Sequence, residues 1–165
     1  MADFRPFDSD ARRRARDRAA GLIGGRDQLL RHVDAEMAAR DELLGPAPHG
    51  AHLRIGLMLA PPDGAAALDP SPALARRYSG VAGDEDQRHF PDGSFARIAA
   101  FMTLHGVNDL PGALLLCRRM LVSGGRFQAA FPAGFSAGAV RDAFLDADIA
   151  AGTGVPPRLG PTVDA

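Results

Sequence analysis

The chain contains no lysine: its 19 basic residues are all arginine, set against 20 acidic ones for a net charge of −1. Without an excess of either sign, no global field selects for nucleic acid or an anionic membrane, and those partners are disfavoured. The absence of lysine, beside abundant Ala, Gly and Pro, fits a GC-rich coding bias and carries no functional weight. Cysteine is nearly missing as well. Cys117 stands alone, which excludes an intramolecular disulfide, and no Cys/His spacing resembles a structural zinc site. No run approaches the ~18–20 apolar residues needed to span a bilayer, and no apolar segment follows the first basic residues as in a secretory signal. A soluble, cytoplasmic protein is the expectation. No Ser/His/Asp triad, metal cluster or phosphate-binding loop stands out.

What is present suits one α/β domain, since 165 residues suffice for a single core and are short for two. Residues 84–131 read as an acidic turn, an apolar strand, a capped helix and a second apolar strand. Such a unit implies a parallel sheet with helical cover and ligands beyond the carboxyl ends of its strands. Upstream, an Arg-rich helix starts at Asp8 or Ser9, with Arg13 and Asp17 spaced to pair and its arginines forming a solvated face. Gly21, Gly24 and Gly25 end it. A second helix over 27–44 carries Leu29, Leu30, Val33, Met37, Asp41 and Leu44 near one stripe. The linker at 45–50 then divides an N-terminal helical arm, 1–46, from an α/β body, 51–152, and residues 153–165 form an irregular tail.

Within the body, residues 53–59 read as a central strand and 65–69 as a short one ending in Asp69. Ser71 caps a helix through Tyr78 with Pro72 at its first position. Val81 and Ala82 form a weak strand ending in Asp84, Glu85 and Asp86, and Phe95 to Met102 form the next. Asn108 or Asp109 caps a helix with Leu110, Leu114, Cys117 and Leu121 inward, ended by Gly124 and Gly125 before a strand over 126–131. A last helix, 136–150, has Ser136 as cap, Val140, Phe144 and Ala147 inward and Gly152 just beyond.

Two runs carry a family resemblance. GDEDQRHFPDGSF (83–95) and LHGVNDLPGALLLCRRMLVSGGRF (104–127) resemble segments of class I S-adenosylmethionine-dependent methyltransferases. The second is similar to a branch holding the malonyl-ACP methyltransferases of biotin synthesis and methyltransferase-like complex I assembly factors. FDSDARRRARDRAA (7–20) resembles that branch's opening helix. The resemblance implies a Rossmann-like parallel sheet and S-adenosylmethionine as cofactor. Asp69 would hold the ribose hydroxyls, Asp84 and Glu85 would approach adenine, Gly56 would lie in the turn beside the methionine part, and His105 would face the substrate. It further implies a protein partner or an acyl-carrier-type substrate, and in one subset arginine hydroxylation. Two alternatives stay open: Asp69 also suits a turn or helix cap beside Pro70, and His105 also suits a structural anchor for the loop before Asn108.

Several positions depart from the family pattern. IGLMLAPPDG (55–64) places Leu57, Met58 and Leu59 where a cofactor loop calls for glycine, and two prolines remove amide donors. Only Ala60 to Gly64 join two parallel strands, whereas a helical crossover takes at least ~10–12 residues. Gly106 replaces an aromatic and Ala96 an acid. The expected fold is therefore an incomplete Rossmann-like sheet, short at its C-terminus, with a degenerate cofactor site and an exposed edge strand that invites a homo-oligomer. Two functions follow: methyl transfer to an unknown acceptor, or a catalytically inactive scaffold or assembly factor for a protein partner.

Overall fold

The computed structural model describes residues 5–46 and 48–154; the predicted tail lies almost wholly outside them. The chain divides into two compact units, Met1–Phe131 and Pro132–Ala165. The first holds helices α1 (Ser9–Leu22), α2 (Gln28–Leu43), α3 (Pro72–Arg77) and α4 (Leu110–Met120). Its strands are β1 (His52–Ile55), β2 (Ala66–Asp69), β3 (Val81–Ala82), β4 (Phe95–Phe101) and β5 (Leu121–Ala130). They form one sheet in the order β3-β2-β1-β4-β5, and every pairing is parallel. This is the Rossmann-like α/β architecture that the sequence implies.

Alternation along the strands builds a core on each face. Leu53 and Ile55 of β1, Leu68 of β2 and Ile98 and Ala100 of β4 pack with Ala113, Cys117 and Met120 of α4. On the other face Ala99 and Phe101 meet Met37 of α2, while Leu57 and Ala67 meet Leu74 of α3. That second face is also charged. Arg54 pairs with Asp34 at 2.7 Å and lies 4.3 Å over the Phe101 ring, and Asp41 receives both Arg97 and Arg126 at 2.9 Å.

Several elements differ from their sequence expectations. β1 stops at Ile55, four residues early, because Gly56 turns the chain at φ +87° and the Leu57 amide bonds to the Asp69 carboxylate. The connection from Gly56 to Ala65 carries no helix, as the short spacing implies. The inward face of α4 is Ala113, Cys117 and Met120, and Leu114 is 40 % exposed. β5 begins directly at Leu121, and Gly124 and Gly125 fall inside it. There β5 advances from Leu121 to Arg126 while β4 advances from Phe95 to Arg97, so the glycines form a bulge and do not end a helix.

In α2, Met37 and Asp41 are buried while Leu29 and Leu44 are exposed, so the inward stripe is narrower than predicted. In the second unit, α5 (Gly138–Ala151) starts after Ala137, and Ser136 bonds within the preceding turn. Val140, Phe144 and Ala147 are exposed, which corrects their inward placement. Gly152 closes the helix in the left-handed conformation, as expected.

Candidate functional site

The sheet order brings the carboxyl ends of β2, β1 and β4 side by side, and the acidic turn after β3 folds beside them. Asp69 ends β2 and is fully buried. Its Oδ1 accepts from the Ser71 amide at 2.8 Å and Arg16 Nε at 3.0 Å; Oδ2 accepts from the Leu57 amide at 2.7 Å and Arg16 Nη2 at 2.6 Å. Of the two alternatives for this residue, the bonds from the Leu57 and Ser71 amides are those of a turn-organising carboxylate. Asp69 organises the turns after β1 and β2, and it faces a guanidinium in bidentate geometry.

Glu85 is held in the same way. Arg12 donates from Nη1 to Oε2 at 2.8 Å and from Nη2 to Oε1 at 2.6 Å, and the Thr103 hydroxyl donates to Oε1. Arg12 Nη2 also reaches the Thr103 carbonyl at 2.8 Å, and Arg16 Nη1 reaches the Met102 carbonyl at 3.2 Å. Asp84 pairs with Arg13 through Oδ2, while its Oδ1 is buried without a hydrogen-bond partner. Asp84 lines a polar cavity of about 270 Å³ together with Arg5, Ser9, Asp86, Gln87, Asn108 and Asp109. Among the described residues no group of three or more His, Cys, Asp and Glu could hold a metal ion.

All three arginines come from α1. The helix begins because Asp8 caps it, its carboxylate accepting from the Ala11 amide at 2.9 Å. Arg12 and Arg16 lie one turn apart on one face, and Arg13 follows beside Arg12. The solvated basic face expected here is therefore corrected at these positions: the arginines point to strand-end carboxylates. Arg13 does not pair with Asp17, which instead receives the Ser71 hydroxyl and the Ala73 amide. Sequence spacing gave no sign of this long-range pairing. The available signal was coincidence of number and sign, three arginines within two turns against three carboxylates at strand ends.

His105 sits in a 3₁₀ turn, Leu104–Gly106, after β4. Burial lowers its pKa first, then the charges of Arg12 and Arg16, with Glu85 acting in the opposite sense. Its Nδ1 is buried without a hydrogen-bond partner. Beside it, Gly106 leaves room for Arg12: a Cβ there would stand 3.0 Å from Arg12 Nε. Gly56 is fixed by the sheet. A Cβ at Gly56 would stand 2.1 Å from the Phe101 carbonyl oxygen, so close approach to β4 already accounts for glycine at this position.

The residues in this arrangement do not fit a nucleoside at Asp69. A ribose diol needs free carboxylate acceptors, and both oxygens of Asp69 carry two donors each. Asp84 Oδ1 alone among the three carboxylates keeps a buried, unpaired acceptor atom.

Comparison with known proteins adds the following. Residues 62–129 match the family described as "Methyltransferase domain". No curated protein matches the chain. One similar solved structure is the complex between the Haloferax volcanii Trm112 methyltransferase activator and a protein assigned as a methyltransferase, at 21 % identity and a TM-score of 0.55. The match covers 70 % of this chain and 59 % of that one. Another is the YcgJ protein of Bacillus subtilis, at 16 % identity and a TM-score of 0.54, covering 80 % of this chain and 63 % of that one. The matched regions are thus about three fifths of the length of each solved structure, and at these identities the likeness is one of fold.

Proposed function

From a chain with the class I methyltransferase fold and a methyltransferase domain over residues 62–129, we propose an S-adenosylmethionine-dependent methyl-transfer function with a degenerate cofactor site. The supporting observation is the convergence of Asp69, Asp84 and Glu85 at the carboxyl ends of a parallel sheet, where ligands of this architecture bind. The family resemblance assigns Asp69 to the ribose, Asp84 and Glu85 to the adenine side, Gly56 to the adjoining turn and His105 to the acceptor; with Arg16 on Asp69 and Arg12 on Glu85, those roles require these ion pairs to open first. The acceptor is unassigned; the branch resemblance suggests an acyl-carrier-type molecule or a partner protein in the cytoplasm. With both Asp69 oxygens engaged and no glycine-rich loop, affinity is weak. Calorimetry on the full chain with S-adenosylhomocysteine should give a Kd above about 100 µM, that is, binding weaker than about −5.5 kcal/mol. Asp69→Asn should abolish it. Absence of heat and of any thermal shift at millimolar ligand would overturn the reading.

That outcome would leave the second reading, a non-catalytic partner-binding protein. The saturated Asp69 carboxylate favours it, as does the similarity to a methyltransferase solved with an activator protein. β5 borders the sheet on one side and offers a further surface for a partner strand or a second copy.

A further inference from the structure

Resting on the reading that the strand-end carboxylates form a ligand site, we propose that α1 is a detachable latch that masks this site through Arg12, Arg13 and Arg16. One helix ties three separate pieces of the sheet end: Asp69 at the end of β2, Asp84 and Glu85 after β3, and the Met102 and Thr103 carbonyls after β4. These are the groups a ligand crossing the strand ends would use, and guanidinium donors occupy them.

The attachment is polar. α1 contains no fully buried residue. Its apolar contact lies at its C-terminal end, where Ala20 and Ile23 pack beside Leu57 and Leu74. Elsewhere it is held by the arginine pairs, by Asp17 on Ser71, and by Asn108, which accepts from the Phe7 amide at 2.9 Å and donates to its carbonyl at 3.1 Å. Swinging the N-terminal turns away breaks ion pairs and hydrogen bonds and opens no hole in the sheet core. Beyond the apolar end lie Gly24 and Gly25, with Gly25 at φ +72° and nothing within 4 Å of a Cβ at either. They supply a pivot.

Burial explains why the latch stays shut without a ligand. Asp69 and Glu85 are buried, and stripping a guanidinium from a buried carboxylate leaves an uncompensated charge. Opening is favoured only when another molecule brings donors to the same oxygens, so ligand and α1 compete for one set of acceptors. The competing ligand is therefore a hydrogen-bond donor such as a polyol or an amine, and not a simple anion.

Native-state hydrogen exchange on the full chain tests detachment. The α1 amides should exchange through a local opening at least about tenfold faster than those of β4 and α4. Arg12→Gln/Arg13→Gln/Arg16→Gln should speed α1 further while β4 and α4 stay protected. It should also make Asp69, Asp84 and Glu85 reactive to carbodiimide and glycine ethyl ester. Ala15→Pro, at an exposed position between the arginines, should do the same with every charge kept. The latch is refuted if wild-type α1 exchanges only together with β4 and α4, a measurement that needs no variant, or if a folded variant keeps the carboxylates unreactive. S-adenosylhomocysteine provides the separate arm. Tighter binding by at least about tenfold on release supports latch and cofactor together, whereas release and labelling with no binding uphold the latch and refute the cofactor reading.

Discussion

Arg12, Arg13 and Arg16 determine what the strand-end carboxylates can do. Each bidentate pair fills lone pairs that a ligand would need, and Gly106 gives Arg12 its path. His105 shares this environment, with Arg12 and Arg16 lowering its pKa on top of burial and Glu85 opposing them. The sign follows from linkage. A ring whose folded pKa lies below its ordinary value of 6.5 is protonated first in the unfolded chain, so this group's contribution falls as pH drops through 6.5 toward the folded value. His105→Gln should flatten that part of the stability profile, and the His105 ring should titrate below 6.5 by NMR. A midpoint at or above 6.5 would contradict the assigned environment. Cys117 shows burial acting in the other direction, its thiol pushed up to about 11 by desolvation and then by the Glu85 charge. That fits a core residue and not a nucleophile.

Three helix starts were legible through their caps, while α2 starts where expected with no side-chain cap bond and the Ser136 cap expected for α5 is not formed. Asp8, Ser71 and Asp109 each accept an amide of the first turn, from Ala11, Leu74 and Gly112. Asp109→Ala should cost about 1 kcal/mol and lower the melting temperature by about 2–4 °C; an unchanged melt would show that α4 does not depend on this cap. Ends and faces were less legible for identifiable reasons. The run over 53–59 reads as strand by hydrophobicity, but the turn at Gly56 and the bond from Leu57 to Asp69 are tertiary. The stripe through Leu114 missed the packing that small Ala113 permits against the sheet. α5 misled differently, since its apolar positions are exposed in a unit described apart from the sheet.

Across the whole chain, the parallel sheet and the carboxylates at its strand ends were readable because the apolar runs and the motifs over residues 83–127 survive. The partner of those carboxylates was not, because Arg16 and Asp69 lie 53 positions apart and Arg12 and Glu85 lie 73 apart. No local rule links them. The methyltransferase domain match covers residues 62–129, while the arginines that engage the strand-end carboxylates come from α1, outside that match. Among the described residues no helix is long and apolar enough to cross a membrane. The central claim is that α1 occupies the carboxylate acceptors at the strand ends, and Arg16 reports on it most closely. In the full chain at neutral pH, NMR of arginine side chains should show an Arg16 Nε–H protected from solvent exchange, and Asp69→Asn should remove that protection. An Arg16 Nε–H exchanging as fast as a free arginine, and indifferent to Asp69→Asn, would contradict the account.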